Sequence, residues 1–215
     1  MTDTLLAPEF NLAPHSVPNV IGVWGYATAG KDTVGEIITR LYGHQRVSFA
    51  DAMKQFARKI DPIVFFQDKD AVRVAEWVDG VGDTEAKKHP EYRRLLQQIG
   101  TRARETFGDD IWVDAAWKPL DLTDGGYVFT DVRFKNEARS IVAEGGKILK
   151  VVRPGVVAVS DHISEIDLED WPFDGVVNND GDLTDLEGEV QRVLGEFGRK
   201  NVLLPISREI ITFSG

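Results

Sequence analysis

Short apolar runs alternate along this chain with stretches in which apolar residues recur every three or four positions. Asn19-Val-Ile-Gly-Val-Trp24 is continuously apolar, as a strand buried on both faces requires, and Val34 to Tyr42 has helical spacing. Arg46 to Ala50 reads as a second strand, and Asp51 to Phe66 as a helix with Met53, Phe56, Ala57 and Ile60 on one face. Gln67 to His89 is charged and without period, so an excursion from the core is expected there. Pro90 opens a stronger helix, with Tyr92, Leu95, Leu96, Ile99, Ala103 and Phe107 as its stripe and Gly108 as its end. Asp110 to Trp117 is a shorter helix. Gly126 to Asp131 is a strand ending in an acid, Phe134 to Glu144 a helix stopped by Gly145-Gly146, and Lys147 to Val152 a strand. Phe173 to Asn178 makes a fifth strand and Leu183 to Phe197 the last helix.

This alternation predicts an α/β/α three-layer fold around a parallel sheet of about five strands. One domain spans residues 19–200. Residues 1–18, with three prolines, read as an arm, 154–172 as an aperiodic acidic stretch, and 201–215 as a tail that is a candidate dimer contact.

Composition changes the picture little. The 215 residues are 42% hydrophobic and 28% charged, which suits a globular domain of this length. No apolar run approaches the ~20 residues of a membrane span, and the N-terminus lacks the pattern of a secretion signal. With no cysteine there is neither disulfide framework nor thiolate-bound zinc, and a cytoplasmic setting is expected. The net charge of −10 argues against a nucleic-acid polymer as partner but not against a mononucleotide, which senses local charge.

The candidate chemistry lies at the strand ends, where sheets of this kind bind ligands. Gly25-Tyr-Ala-Thr-Ala-Gly30-Lys31-Asp32-Thr33 joins the first strand to the first helix and reads as a phosphate-binding loop. Glycines let backbone N–H groups turn toward phosphate, and the helix N-terminus adds its dipole. The phosphate-binding set is Gly25, Ala27, Ala29, Gly30, Lys31, Asp32, Thr33 and Val34; Asp32 stands where Ser or Thr is usual, so Thr33 supplies the hydroxyl for Mg²⁺. The second strand delivers Asp51 and then Lys54. The third delivers Asp131 and Arg133, the fourth Arg153, and the fifth Asn178, Asn179 and Asp180. Asp131 has the placement of a metal-directed acid, with capping of the following helix as its rival role. Asp51 divides evenly between binding and capping, and Asn178 to Gly181 between a nucleotide contact and a turn. Arg102 and Arg104 flank the apolar stripe of the Pro90 helix, and guanidinium forks match phosphate oxygens.

Several stretches together resemble the bacteriophage deoxynucleoside monophosphate kinases. They are Gly30-Lys31-Asp32-Thr33, Val47 to Lys54, Ile99-Gly-Thr-Arg102 to Trp112, Thr130-Asp131-Val-Arg133-Phe-Lys-Asn136-Glu137-Ala138, Asp161-His-Ile-Ser-Glu165 and Val177 to Gly181. The resemblance runs from about residue 19 to 197. It implies a P-loop fold of the nucleoside monophosphate kinase type, with 52–118 as the substrate-binding region and 154–172 as the lid. It also implies transfer of a phosphoryl group from ATP, with Mg²⁺, to a deoxynucleoside monophosphate. Lys31, Arg133, Arg153 and Asp131 would then serve the transfer, Thr33 and Asp131 the metal, and Asp51, Lys54, Arg102 and Arg133 the acceptor. Asn179 would lie near the adenine. The lid's acidity between Asp161 and Asp170 leaves Arg153 as its main cation. Two rivals remain: a P-loop kinase acting on dephospho-coenzyme A or another phosphorylated metabolite, and a nucleotide switch with no acceptor. Against the second, guanine-reading switches carry an Asn-Lys-x-Asp stretch, and this chain has none.

Overall fold

The computed structural model describes residues 17–65, 71–158 and 166–201. Five strands form one parallel sheet: β1 (Val20–Trp24), β2 (Gln45–Val47), β5 (Tyr127–Phe129), β6 (Lys147–Val152) and β7 (Gly175–Asn178). Their order is β2-β5-β1-β6-β7. The central β1 is buried along its whole length, which is why Val-Ile-Gly-Val-Trp carries no polar residue. Its alternate side chains feed two cores. Ile21 and Val23, with Leu149, Val151 and Val177, pack against α1 (Lys31–Tyr42) and the last helix, α8 (Leu183–Asn201). Val20 and Trp24, with Phe129 and Ile148, pack against α2 (Phe49–Ile60), α6 (Ile111–Trp117) and α7 (Lys135–Ala143).

Between β2 and β5 the chain leaves the sheet and builds a third, smaller core. This insertion contains α2, the antiparallel pair β3 (Ile63–Phe65) and β4 (Ala71–Arg73), α3 (Val74–Val81), α4 (Asp83–Ala86) and α5 (Pro90–Phe107). Ala57, Val64, Val74, Val78, Ala86, Tyr92 and Leu96 fill it. The order of strands reverses beside β1, where sheets of this kind bind ligands, and both the phosphate loop and this insertion leave the sheet from its carboxyl edge. Among the described residues no helix is long and apolar enough to cross a membrane.

Four expectations are corrected. The second strand ends at Val47, and α2 begins at Phe49, so Asp51 lies in a helix's first turn rather than at a strand end. The same helix stops at Ile60 instead of Phe66, because Asp61 takes a left-handed conformation (φ 51°) and its N–H donates to the Ala57 carbonyl. Of the expected apolar face, Ala57 is buried, whereas Phe56 and Ile60 are exposed. The stretch read as irregular holds β4, α3 and α4. Of the 154–172 stretch only 154–158 and 166–172 are described; His162, Asp161 and Glu165 lie outside the described residues, as do the arm up to residue 16 and the tail from residue 202.

Gly146, between α7 and β6, is fixed by space. A Cβ there would meet the carbonyl oxygens of Ile141 and Val20 at 2.8 Å each. Gly146→Ala is expected to lower the free energy of unfolding by about 1–3 kcal/mol in urea titration. An unchanged midpoint would mean the α7–β6 corner yields more readily than its backbone contacts indicate.

Candidate active site

The loop after β1 is held against its surroundings at several points. Gly25 runs so close to β6 that a Cβ would sit 2.6 Å from the Val151 carbonyl. Ala29 is buried, and its N–H donates to the Tyr26 carbonyl at 3.2 Å. Gly30 has φ 103° and caps α1, a conformation a side chain would strain. Asn179 Nδ2 donates to the Ala29 carbonyl at 2.8 Å, so the end of β7 grips the loop. The Lys31 ammonium folds into the loop, donating to the carbonyls of Gly25 (2.6 Å) and Tyr26 (2.9 Å). A cation thus lies inside a curl of backbone at the positive end of a helix, an arrangement suited to polyphosphate oxygens. Thr33 is half-buried one residue beyond the exposed Asp32. Val34 belongs to the core instead: its side chain is buried and its N–H is spent on the Gly30 carbonyl at 3.0 Å.

Asp131 follows β5 and is fully engaged. Its carboxylate accepts from the Ser48 hydroxyl (2.6 Å), the Phe49 N–H (2.9 Å) and the Ala50 N–H (3.1 Å). It therefore caps α2, a helix more than eighty residues earlier, rather than the α7 that follows it. The following helix is served by Glu137, whose Oε2 accepts from the N–H groups of Arg133 (2.7 Å) and Phe134 (3.1 Å). Glu137 is buried, and burial, reinforced by the charge of Asp131, pushes its pKa up to about 7. Its Oε1 faces Arg104 at 3.5 Å, and that guanidinium lies 4.1 Å from the centre of the Phe134 ring. Asn136 Nδ2 reaches the Asp109 carbonyl (3.1 Å) and Asp110 Oδ1 (2.8 Å), so the Asp131–Ala138 and Ile99–Trp112 stretches meet in space.

The edge gathers Lys31, Asp131, Asp51 and Lys54. Lys54 has a side chain only 11% exposed and donates to Asp51 Oδ1 at 2.5 Å. Burial opposes its charge, but Asp51, aided by Asp83 and Asp131, outweighs burial and raises its pKa. Arg133 stands exposed directly beyond Asp131, and Arg153 exposed beyond β6. Arg102 is not brought in. It lies on the outer face of α5, 77% exposed and paired with Glu105 at 2.6 Å, while Arg104 turns inward. Sequence reasoning also missed Arg46 on β2, which pairs with Asp32 and donates from Nε to Thr130 Oγ1 at 3.1 Å. A basic residue on the strand beside the one that carries Asp131 was the available signal. The described part of the acidic stretch is occupied as well: Glu169 accepts from the Tyr26 hydroxyl (2.6 Å), Asp167 from the Lys135 N–H (2.7 Å), and Asp170 pairs with Lys135 Nζ (2.8 Å).

A parallel sheet in this order, with a glycine loop closing on a lysine after its central strand, defines a P-loop kinase-like domain. Residues 58–190 match the deoxynucleotide monophosphate kinase family, and the chain belongs to that family. A protein of Acanthamoeba polyphaga mimivirus bearing that kinase's name is 26% identical over 169 residues, covering 69% of this chain and 81% of the relative. The deoxynucleotide monophosphate kinases of Escherichia phage RB69 and Enterobacteria phage T4 are 33% and 34% identical over 107 residues. Those matches cover 47% of this chain and 44% of each phage protein, so the chain aligns with under half of their length. The dephospho-CoA kinase of Campylobacter jejuni aligns at 16% identity and a TM-score of 0.46, over 85% of this chain and 98% of that one, a likeness too low to bear on function.

The raised pKa of Glu137 has a consequence for stability. The folded protein keeps a proton that the unfolded chain, with an ordinary carboxyl near 4.5, releases. Stability from this proton is complete below about pH 4.5 and is lost as pH rises through about 7. Glu137→Gln keeps an acceptor for the two N–H groups without a titrating charge. The unfolding free energy of the wild type is therefore expected to fall relative to Glu137→Gln between pH 4 and 8, by at most about 3 kcal/mol. A difference independent of pH would show that Glu137 titrates normally.

Proposed function

We propose that this protein transfers the γ-phosphoryl group of ATP, with Mg²⁺, to the phosphate of a deoxynucleoside 5′-monophosphate. The observation that carries this reading is the opposition of two cationic sites across one sheet edge, in a chain of this family. On one side the Lys31 ammonium is bound to the carbonyls of Gly25 and Tyr26. On the other, Lys54 reaches the region of Asp131 from the insertion, and Arg104 that of Glu137. One half suits a donor polyphosphate and the other an acceptor monophosphate.

The residues fit these groups. Gly25 lets the loop run against the Val151 carbonyl, Gly30 takes the positive φ that turns the chain into α1 beside Asn179, and Lys31 would exchange its two carbonyls for the terminal phosphates. Bound Mg²⁺ would neutralise charge on the phosphates. Thr33 supplies a hydroxyl for it. Asp131, with three donors already on its carboxylate, is better suited to orient a metal-bound water than to bind the ion directly.

An acceptor phosphate oxygen would attack the γ-phosphorus in line, and ADP would leave with the electron pair of the broken bond. The attacking group is already anionic, so no strong base is needed. The residues therefore act by position and charge. Lys31 and Arg153 would draw on the transferring group, while Lys54, Arg104 and Arg133 hold the acceptor. The acceptor role expected for Arg102 passes to Arg104, because only Arg104 faces the edge. The insertion, close to the expected 52–118 region, is the acceptor side of this arrangement.

A coupled assay over dAMP, dCMP, dGMP, dTMP and dephospho-coenzyme A, with ATP and Mg²⁺, checks the reading. At least one deoxynucleotide should be phosphorylated, and Lys31→Ala should abolish transfer without unfolding the protein. Activity confined to dephospho-coenzyme A, or near-normal turnover by Lys31→Ala, would refute it. In the same assay Arg104→Ala is expected to raise the acceptor KM about tenfold or more, with Arg102→Ala within about twofold of wild type. The reverse order would place the acceptor on the outer face of α5.

A further inference from the structure

The insertion contains a charge arrangement that the loop chemistry does not use. Lys87 follows the short α4 and sends its ammonium beside that of Lys54 on α2. Although Lys87 is exposed overall, its charged end lies among Lys54, Asp83 and Asp131. Burial, together with the charge of Lys54, depresses its pKa. Neighbouring cations of the insertion hold carboxylates: Arg58 pairs with Asp79, Arg73 with Asp61, Lys88 with Glu85 and Arg94 with Glu91. Lys87 makes no such ion pair among the described residues and faces a second lysine instead.

The small core beside this pair, which includes Ala86 next to Lys87 and Met53 next to Lys54, holds a second anomaly. Tyr92 of α5 is wholly buried, its ring packed edge-on against Trp77 at 5.5 Å, and its hydroxyl has no hydrogen-bond partner among the described residues. A phenol in that state forfeits about 1–3 kcal/mol, a cost seldom left standing unless something else completes the bond. The charged groups acting on it are Asp83, Lys54 and Arg58, two of which also act on Lys87. An orphaned polar atom and two crowded ammonium groups thus share one corner, formed by α2, α4 and α5.

We propose that Lys87 and Lys54 together seat the phosphate of the acceptor mononucleotide, with the Tyr92 hydroxyl at the floor of the seat. This inference rests on the phosphotransfer reading above and adds Lys87 to the acceptor side. A dianionic phosphate relieves the repulsion between the two ammonium groups, and Asp51 and Asp83 hold them together in its absence. The anion, or a water it orders, supplies the partner that Tyr92 lacks. Lys87 is a binding residue here, lying in a segment whose sequence has no periodicity to announce it.

The test measures the dissociation constants of the accepted deoxynucleoside monophosphate and of ATP by calorimetry, on the full chain. Wild type, Lys87→Ala and Lys87→Arg are compared. Lys87→Ala is expected to weaken the monophosphate by about tenfold or more and ATP by no more than about twofold, with Lys87→Arg recovering most of the loss. Unchanged monophosphate affinity in Lys87→Ala overturns the seat while leaving the phosphotransfer reading intact. Equal weakening of both ligands, or no recovery with Arg, shows a structural role and overturns it too. A wild type that binds no monophosphate at all refutes the phosphotransfer reading and the seat with it.

Discussion

The carboxylate of Asp131 joins the two halves of this molecule. It sits at the carboxyl end of β5 and takes its three hydrogen bonds from Ser48, Phe49 and Ala50, where α2 begins. Hydrogen bonds to a charged acceptor contribute about 1.5–3 kcal/mol each, and a carboxylate at a helix N-terminus gains further from the dipole. This contact fixes the start of α2 against the sheet edge. One turn on, it fixes Lys54, and through the packing of α2 the small core of the insertion. Ser48 caps nothing with its own side chain, because its hydroxyl is committed to Asp131. On the opposite side Asn179 does similar service, tying β7 to the loop through the Ala29 carbonyl. The loop and the insertion are thereby built on one sheet edge.

Charge is distributed to suit that edge. The chain carries a formal net charge of −10, yet Lys31, Lys54, Lys87, Arg104 and Arg133 belong to the loop, the insertion and the segment after β5. Behind them stand Asp131 and the buried Glu137, held close enough for one to raise the pKa of the other. Glu137 binds two backbone N–H groups at the start of α7 and faces Arg104 with its other oxygen. That pairing accounts for the Asp131–Ala138 stretch as a unit: its acid caps a distant helix, its glutamate caps the local one, and its asparagine fastens both to the end of α5. The acidic residues at 167, 169 and 170 are likewise engaged with Lys135 and Tyr26.

Much of this was legible in the sequence. The apolar run of β1, the glycine loop and the stripe of α5 follow from burial and helical period, and α5 spans the range its pattern predicts. What escaped depends on contacts between distant segments. Arg102 and Arg104 are about 200° apart around a helix, so one faces inward only if the other faces out. Apolar neighbours flank both, and the packing of α5 against α2 and α6 decides between them. Asp131 was read as a metal ligand or a cap for its own helix; its actual partners lie over eighty residues away. The end of α2 turns on a left-handed Asp61, which no period announces. Lys87 matters only through the lysine that folding sets beside it.

If donor and acceptor occupy one continuous edge, a single molecule should span both. An adenosine and a deoxynucleoside joined 5′ to 5′ through a polyphosphate long enough to replace both substrates can be titrated against the protein by calorimetry. It should bind with one-to-one stoichiometry and at least about a hundredfold more tightly than ATP or the monophosphate alone, since the second half binds at high effective concentration. An affinity no better than that of ATP would mean that the loop and the insertion do not form one two-nucleotide site.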